Sequence, residues 1–166
     1  MAEPRLPALH AVTDDATLAR AGFLSAARAV LAAGGPDVAL HLRGPRAGGR
    51  LLWELAESLA RAASDSGALH VVNDRVDVAL AAGAGGVQLG RSSMTPPDVR
   101  GLVGGGPLIG VSVGSAREAM DAARGGADFV LAGSVYPTAT HPGREGMGPA
   151  GLAEIAGSGI PTVAIG

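Results

Sequence analysis

Seven short apolar runs, each halted by a cluster of polar or glycine residues, set the rhythm of this 166-residue chain, and six are followed by a segment that reads as a helix. The runs cover residues 9–15, 38–43, 69–74, 86–90, 108–113, 129–136 and 161–166. Parallel strands cannot be joined by a tight hairpin turn and need a crossover of about a dozen residues or more, usually a helix. The alternation therefore predicts an α/β chain with a parallel sheet whose strands all end on one side. In parallel barrels the C-terminal strand ends carry the chemistry, so the residues closing each run are the candidates for function.

Helix signals fill the intervals. Residues 23–33 and 51–63 repeat apolar side chains at three- and four-residue spacing, with Arg28, Glu54, Glu57 and Arg61 left for the wet face. Thr95-Pro-Pro-Asp98 combines a capping hydroxyl, a proline at the first helical position and an acid at the third, and Ser115-Ala-Arg-Glu118 is a capping box. A last short helix is predicted from Pro149. Three stretches, starting at Val30, Ala79 and Asp121, echo one another as helix end, glycine stop and strand. No long linker, charge block or low-complexity tail interrupts them, so residues 1–166 read as one domain. The closing run, 161–166, is a buried-strand pattern with nothing after it, so the barrel is expected to be C-terminally incomplete and the chain a fragment of a longer one.

Composition narrows the chemistry. The formal charge of −2 and the absence of any basic tract argue against nucleic acid as partner. No apolar stretch approaches a membrane span and the N-terminus lacks a secretory signal, which with the missing cysteines fits a cytoplasmic protein. All 13 basic residues are arginines. Lysine Schiff bases and thiolate nucleophiles are excluded, and any anion must be held by arginine, backbone N–H groups or a helix N-terminus.

The strand ends supply specific candidates. Arg43 closes the second run, where it is either a solvated charge or a two-pronged grip on phosphate, and the second reading is preferred. Asp74 is either the cap of a helix beginning near Val76 or a carboxylate for a phosphate-bound magnesium ion, beside the Asn73 amide. His41 and His70 fall within strands and read as core or helix-facing histidines. Residues 133–148 form the longest polar loop, with three serine or threonine hydroxyls, a histidine and an arginine; a substrate loop is favoured over a mere connection.

Taken in order, Leu9-His-Ala-Val-Thr-Asp14, Leu42-Arg43, the stretch from Asn73 through Gln88 to Gly90, Ile109-Gly-Val-Ser112, Gly133-Ser-Val-Tyr-Pro-Thr-Ala-Thr140 and Pro161-Thr-Val-Ala-Ile-Gly166 resemble the thiamine phosphate synthase/TenI family almost from end to end. The resemblance implies a TIM (β/α)8-type barrel lacking its eighth βα unit. It also implies a small phosphorylated heterocycle as partner, with no nucleic acid or membrane, and leaves a homo-oligomer open. In synthases of this family a pyrimidine pyrophosphate ionises with magnesium help and the nitrogen of a thiazole phosphate captures the cation. On this chain the resemblance places Arg43 and Asn73 on pyrophosphate and Asp74 on Mg2+. Ser112, Thr138 and Thr140 fall around the pyrimidine, with Gln88 and Gly166 as further substrate contacts.

Three charged parts of the synthase pattern are replaced. Pro45 and His141 stand where the family has lysines, and Ser93 stands where it has a second magnesium carboxylate, so Mg2+ is expected to bind weakly or not at all. Arg46 and Arg91 are the candidates to restore lost positive charge. The opening Leu9-His-Ala-Val-Thr-Asp14 and the segment from His141 to Arg144 lean towards the TenI branch, whose members aromatise thiazole phosphate by moving a proton. The histidine of that reaction falls at Ser134, which leaves His141 as the substitute acid or base. The expectation is a TenI-like thiazole tautomerase, with a thiamine phosphate synthase and a non-catalytic phosphate binder as alternatives.

Overall fold

The structure is a computed structural model that describes residues 6–138, 143 and 145–166. It divides into two compact units, Met1–Gln88 and Leu89–Gly166, built on the same strand–helix alternation. The first unit runs β1 (Leu9–Val12), α1 (Asp15–Leu18), α2 (Phe23–Gly34), β2 (Val38–Leu42), α3 (Gly49–Ser66), β3 (Leu69–Asn73), α4 (Val76–Ala82) and into β4 (Gly86–Leu89). The second runs α5 (Pro96–Val103), β5 (Leu108–Val113), α6 (Ala116–Arg124), β6 (Phe129–Gly133), α7 (Gly148–Ala156) and β7 (Thr162–Ile165).

All the strand pairs are parallel, as the run-and-helix rhythm predicts. In the first unit the register sets Val12 against His41, His41 against Val71, Leu42 against Val72 and Asn73 against Gln88. Side chains alternate along a strand, so one face carries His10, Val12, His41, Val71, Asn73 and Gln88, while the other carries Leu40, Leu42, His70, Val72 and Val87. α3 buries Leu52, Leu55, Ala56, Leu59 and Ala63, the spacing of a single helical stripe, and each fully buried leucine contributes roughly 2 kcal/mol. In the second unit Val113, Val130 and Ala132 of the sheet pack with Ala119 and Ala122 of α6 and Ile155 of α7. Ser112, which shares its register with Leu131 and Val163, therefore lies on the face turned away from those helices.

The predicted caps form. Thr95 accepts the Asp98 N–H at 3.4 Å and Ser115 accepts that of Glu118 at 3.2 Å. The Glu118 carboxylate reaches back one residue further than a standard box, to the Gly114 N–H at 2.6 Å. Two runs end earlier than their apolar pattern. The first stops at Val12 because Asp14, in extended conformation, accepts the Thr17 N–H at 2.7 Å and starts α1. The sixth stops at Gly133, where the Ser134 and Val135 carbonyls turn to accept the N–H groups of Met147 and Gly148, each at 2.9 Å.

Candidate functional site

In the first unit three strand ends are tied into one polar cluster. Thr13, just past β1, is buried, and its Oγ1 donates to the Arg43 carbonyl at 2.8 Å and accepts the Arg43 N–H at 2.8 Å. The Thr13 N–H in turn donates to the His41 carbonyl at 3.1 Å. A threonine hydroxyl thus clasps the backbone on both sides of Arg43 and fixes where its side chain starts. The half-buried Arg43 guanidinium forms no ion pair with any described residue, which leaves it available to an anion. Gly44 lets the chain turn away at once, since a Cβ there would overlap Leu18.

Asn73 and Asp74 stand at the end of β3, alongside the level of Arg43 in the register. Asp74 has φ +62°, the only described non-glycine residue in the left-handed region, and its N–H is held by the Gln88 carbonyl at 2.9 Å. Such a conformation costs an L residue roughly 1–2 kcal/mol, and strain of this kind gathers where a side chain must be aimed rather than where stability is sought. The cap reading of Asp74 does not hold: the N-cap position of α4 is Arg75, with no side-chain cap. Arg75 is engaged instead with Asp77 in a two-pronged pair. Gln88 is fully buried beside Asn73 on the same face.

Two histidines complete this face. His10 Nδ1 and His41 Nε2 are 2.8 Å apart, and His10 Nε2 lies 3.1 Å from the Pro7 carbonyl. Burial pushes the His41 imidazole down to about 3, helped by the nearby His10 and opposed by the Asn73 side chain. His70, on the other face, falls to about 4 through burial alone, and neither of its ring nitrogens has a hydrogen-bond partner among the described residues. His41 is thus a core histidine engaged through Nε2, as its sequence position suggests, whereas His70 is an unsatisfied one.

In the second unit a separate cluster gathers where β6 and β7 end. Gly166 has φ +97°, and a Cβ on it would approach Ser134 Cβ to 3.0 Å and Thr138 Cγ2 to 3.1 Å. Ser134, Thr138 and Gly166 are therefore neighbours, and only glycine fits position 166. The loop that starts there is fastened at both roots: besides the two bonds from Met147 and Gly148, Gly146 packs so closely on the backbone of Val135 and Tyr136 that any side chain would overlap it. Ser112 is half-buried on the helix-free face. Thr140 and His141 lie outside the described residues.

Neither candidate for restoring charge is free to do so. Arg46 is paired with Asp15, through Nε to Oδ2 at 3.2 Å and its N–H to Oδ1 at 3.0 Å, and Arg91 lies 3.9 Å from Glu118. Ser93, at the expected second carboxylate position, accepts the Gly90 N–H at 2.9 Å and closes a turn. Among the described residues no group of three or more His, Cys, Asp or Glu side chains converges. Asp74 alone suits a magnesium ion that takes its remaining ligands from substrate phosphates and water, the usual way Mg2+ is bound. Thr13 is the residue of this cluster that the sequence alone does not single out; its signal is a hydroxyl directly after an apolar run.

The thiamine monophosphate synthase family model matches residues 9–166. The thiamine-phosphate synthase of Methanoculleus marisnigri is 42% identical over 160 residues, which cover 95% of this chain and 75% of that protein. That of Chlorobium luteolum is 38% identical over 168 residues, covering all of this chain and 76% of its own length. Among solved structures, the thiamine phosphate pyrophosphorylase from Pyrococcus furiosus matches with a TM-score of 0.79 at 35% identity, over 95% of this chain and 74% of that one. The likeness supports the TIM-type (β/α) fold class, with seven strands on this chain. No described helix is long and apolar enough to cross a membrane.

Proposed function

The chain belongs to the thiamine monophosphate synthase family, and on that footing we propose that it joins a hydroxymethylpyrimidine pyrophosphate to a thiazole phosphate, releasing pyrophosphate. The carbon–oxygen bond to pyrophosphate breaks heterolytically, and the lone pair of the thiazole nitrogen forms the new carbon–nitrogen bond. The observation that carries this reading is the Arg43 guanidinium, clasped through its backbone by Thr13 and engaged by no carboxylate among the described residues, with Asn73 and the strained Asp74 at the neighbouring strand end.

Charge builds on the departing pyrophosphate, so groups that meet it there lower the barrier most. Arg43 supplies two parallel N–H donors of fixed geometry. Asp74 would be the residue to hold Mg2+, which when bound would supply Lewis-acid neutralisation of the leaving group. The resemblance assigns Ser112, Thr138 and Thr140 to the pyrimidine. Gly166, which crowds Ser134 and Thr138, keeps that end of the second unit clear of side chains. Thiazole tautomerisation has less support: its histidine position is Ser134, and the relatives above carry the synthase name.

Incubation with both substrates and Mg2+ is expected to yield thiamine phosphate and one equivalent of pyrophosphate. Binding of the pyrimidine pyrophosphate without product would instead identify a binder, and isomerisation of a thiazole phosphate tautomer alone would restore the tautomerase. Asp74→Gly should abolish magnesium-dependent turnover while leaving stability to denaturant unchanged or up to about 1 kcal/mol higher, because glycine adopts the left-handed region without strain. A clear loss of stability with turnover intact would show Asp74 to be structural.

A further inference from the structure

The turn that carries Asp74 is fixed at both ends. Upstream, the Asp74 N–H is bound by the Gln88 carbonyl at 2.9 Å; downstream, the Arg75 N–H donates to the Asn73 carbonyl, two residues back, at 2.7 Å. With φ +62° at its centre this is a three-residue turn of positive hand, a rare and strained form. Strain of this kind persists only where the surroundings hold it, and Arg75 is the residue that touches most of them. Its carbonyl accepts the Ala79 N–H at 2.9 Å and so opens α4. Its guanidinium grips Asp77 in the first turn of α4, Nε to Oδ1 at 2.8 Å and Nη2 to Oδ2 at 2.5 Å. The same guanidinium lies on Gly49, the first residue of α3, where a Cβ would come within 2.8 Å of both Nη1 and Nη2. Stability explains neither contact. The pair with Asp77 is largely exposed, where ion pairs contribute little, and a cation at the start of α3 meets the positive end of that helix's dipole.

We propose that Arg75 is a positioning residue: its guanidinium, wedged between the Asp77 carboxylate and the bare backbone of Gly49, holds the Asp74 turn so that the Asp74 carboxylate keeps its aim at phosphate-bound Mg2+. The assignment rests on the proposed reading that Asp74 serves Mg2+. Arg75 acts through Asp74 rather than on the phosphates. Gly49 shares the task, because the side chain it lacks is what gives the guanidinium its seat. With the wedge withdrawn, strain of the size Asp74 carries leaves the competent turn populated about one part in ten, since about 1.4 kcal/mol corresponds to a factor of ten.

Gly49→Ala is the sharpest test, because it leaves Asp74, Arg75 and Asp77 in place and unseats only the flexible end of one side chain. Alanine suits a helix better than glycine, so the urea midpoint should hold or rise. Amide exchange at residue 75, which reads the bond to Asn73, should quicken by about tenfold. Calorimetry with inorganic pyrophosphate should show affinity in the presence of Mg2+ falling about tenfold, with affinity in its absence nearly unchanged because Arg43 is untouched. In turnover, the Mg2+ concentration for half-maximal rate should rise by the same factor, while the rate at saturating Mg2+ recovers. Arg75→Met should behave alike, and Arg75→Lys, which keeps the charge without the fork, should recover only part of the loss. Unchanged exchange and unchanged Mg2+ dependence in folded Gly49→Ala and Arg75→Met proteins would overturn the proposal, as would a loss of pyrophosphate affinity that is the same with and without Mg2+. A wild type that binds pyrophosphate no better with Mg2+ than without would overturn the magnesium role of Asp74; faster exchange in Gly49→Ala would still uphold Arg75 as the residue that holds the turn.

Discussion

Between pH 7 and pH 5 the protein is expected to lose about 4 kcal/mol of its stability, roughly 2 from each of His41 and His70. Both rings are neutral in the folded state, with values lowered from 6.5 to about 3 for His41 and to about 4 for His70. The unfolded chain takes up protons at about 6.5, well before the folded one can. Below that pH the unfolded state binds more protons, so stability falls as pH falls. The contribution is complete above 6.5 and is lost progressively as the pH drops towards 4 and then 3. Domains of this size hold only about 5–15 kcal/mol in all, so the loss is a large fraction of the total. Urea midpoints measured across this range give the slope directly. His70→Leu should remove about half of it and, by deleting two buried nitrogens without partners, raise stability at pH 7 by about 1–3 kcal/mol. A flat profile, or a destabilised His70→Leu protein, would mean that the His70 ring is hydrated or bonded in solution.

Replacing Arg43 with methionine should cost at least a hundredfold in affinity for the pyrophosphate-bearing substrate while leaving the fold within about 0.5 kcal/mol. The first figure follows from losing two charge-assisted hydrogen bonds, each about 1.5–3 kcal/mol. The second follows from the side chain having no ion pair among the described residues, since the strand end is held by the Arg43 backbone and Thr13 Oγ1. Arg43→Lys keeps the charge without the fork and should recover only part of the loss. Thr13→Val probes the same grip from behind: it strips the hydroxyl that satisfies both backbone groups of Arg43, so stability and affinity should fall together, and Thr13→Ser should spare both. Calorimetry with pyrophosphate and Mg2+ measures the set. Unchanged affinity in a folded Arg43→Met protein would remove the guanidinium from the phosphate.

The framework was legible because it is written locally. An apolar run, a glycine stop and a capping hydroxyl each act within a few residues, so all seven strands and the helices opened by Thr95 and Ser115 were identifiable from the chain alone. Arg43, Asn73 and Asp74 were likewise visible as polar residues closing apolar runs. What escaped depends on strand register. The Thr13–Arg43 clasp and the His10–His41 bond join residues 30 and 31 positions apart, and a shift of one residue in pairing would abolish both. The pairing of Arg46 with Asp15 belongs to the same class, and it engages the arginine that the resemblance offers in place of a missing lysine. The Asp74 backbone angle escaped for another reason: aspartate tolerates the left-handed region better than most residues, so nothing in the letters marks the position as strained.

Fastening the 134–148 segment at both roots separates two demands on the same stretch of chain. The four bonds at its feet, from Val135, Tyr136, Met147 and Gly148, are all made by main-chain atoms, so they are indifferent to side-chain identity except where Gly146 must stay small. The strand ends beneath are therefore secured by main-chain geometry, whatever side chains the two feet of the segment carry.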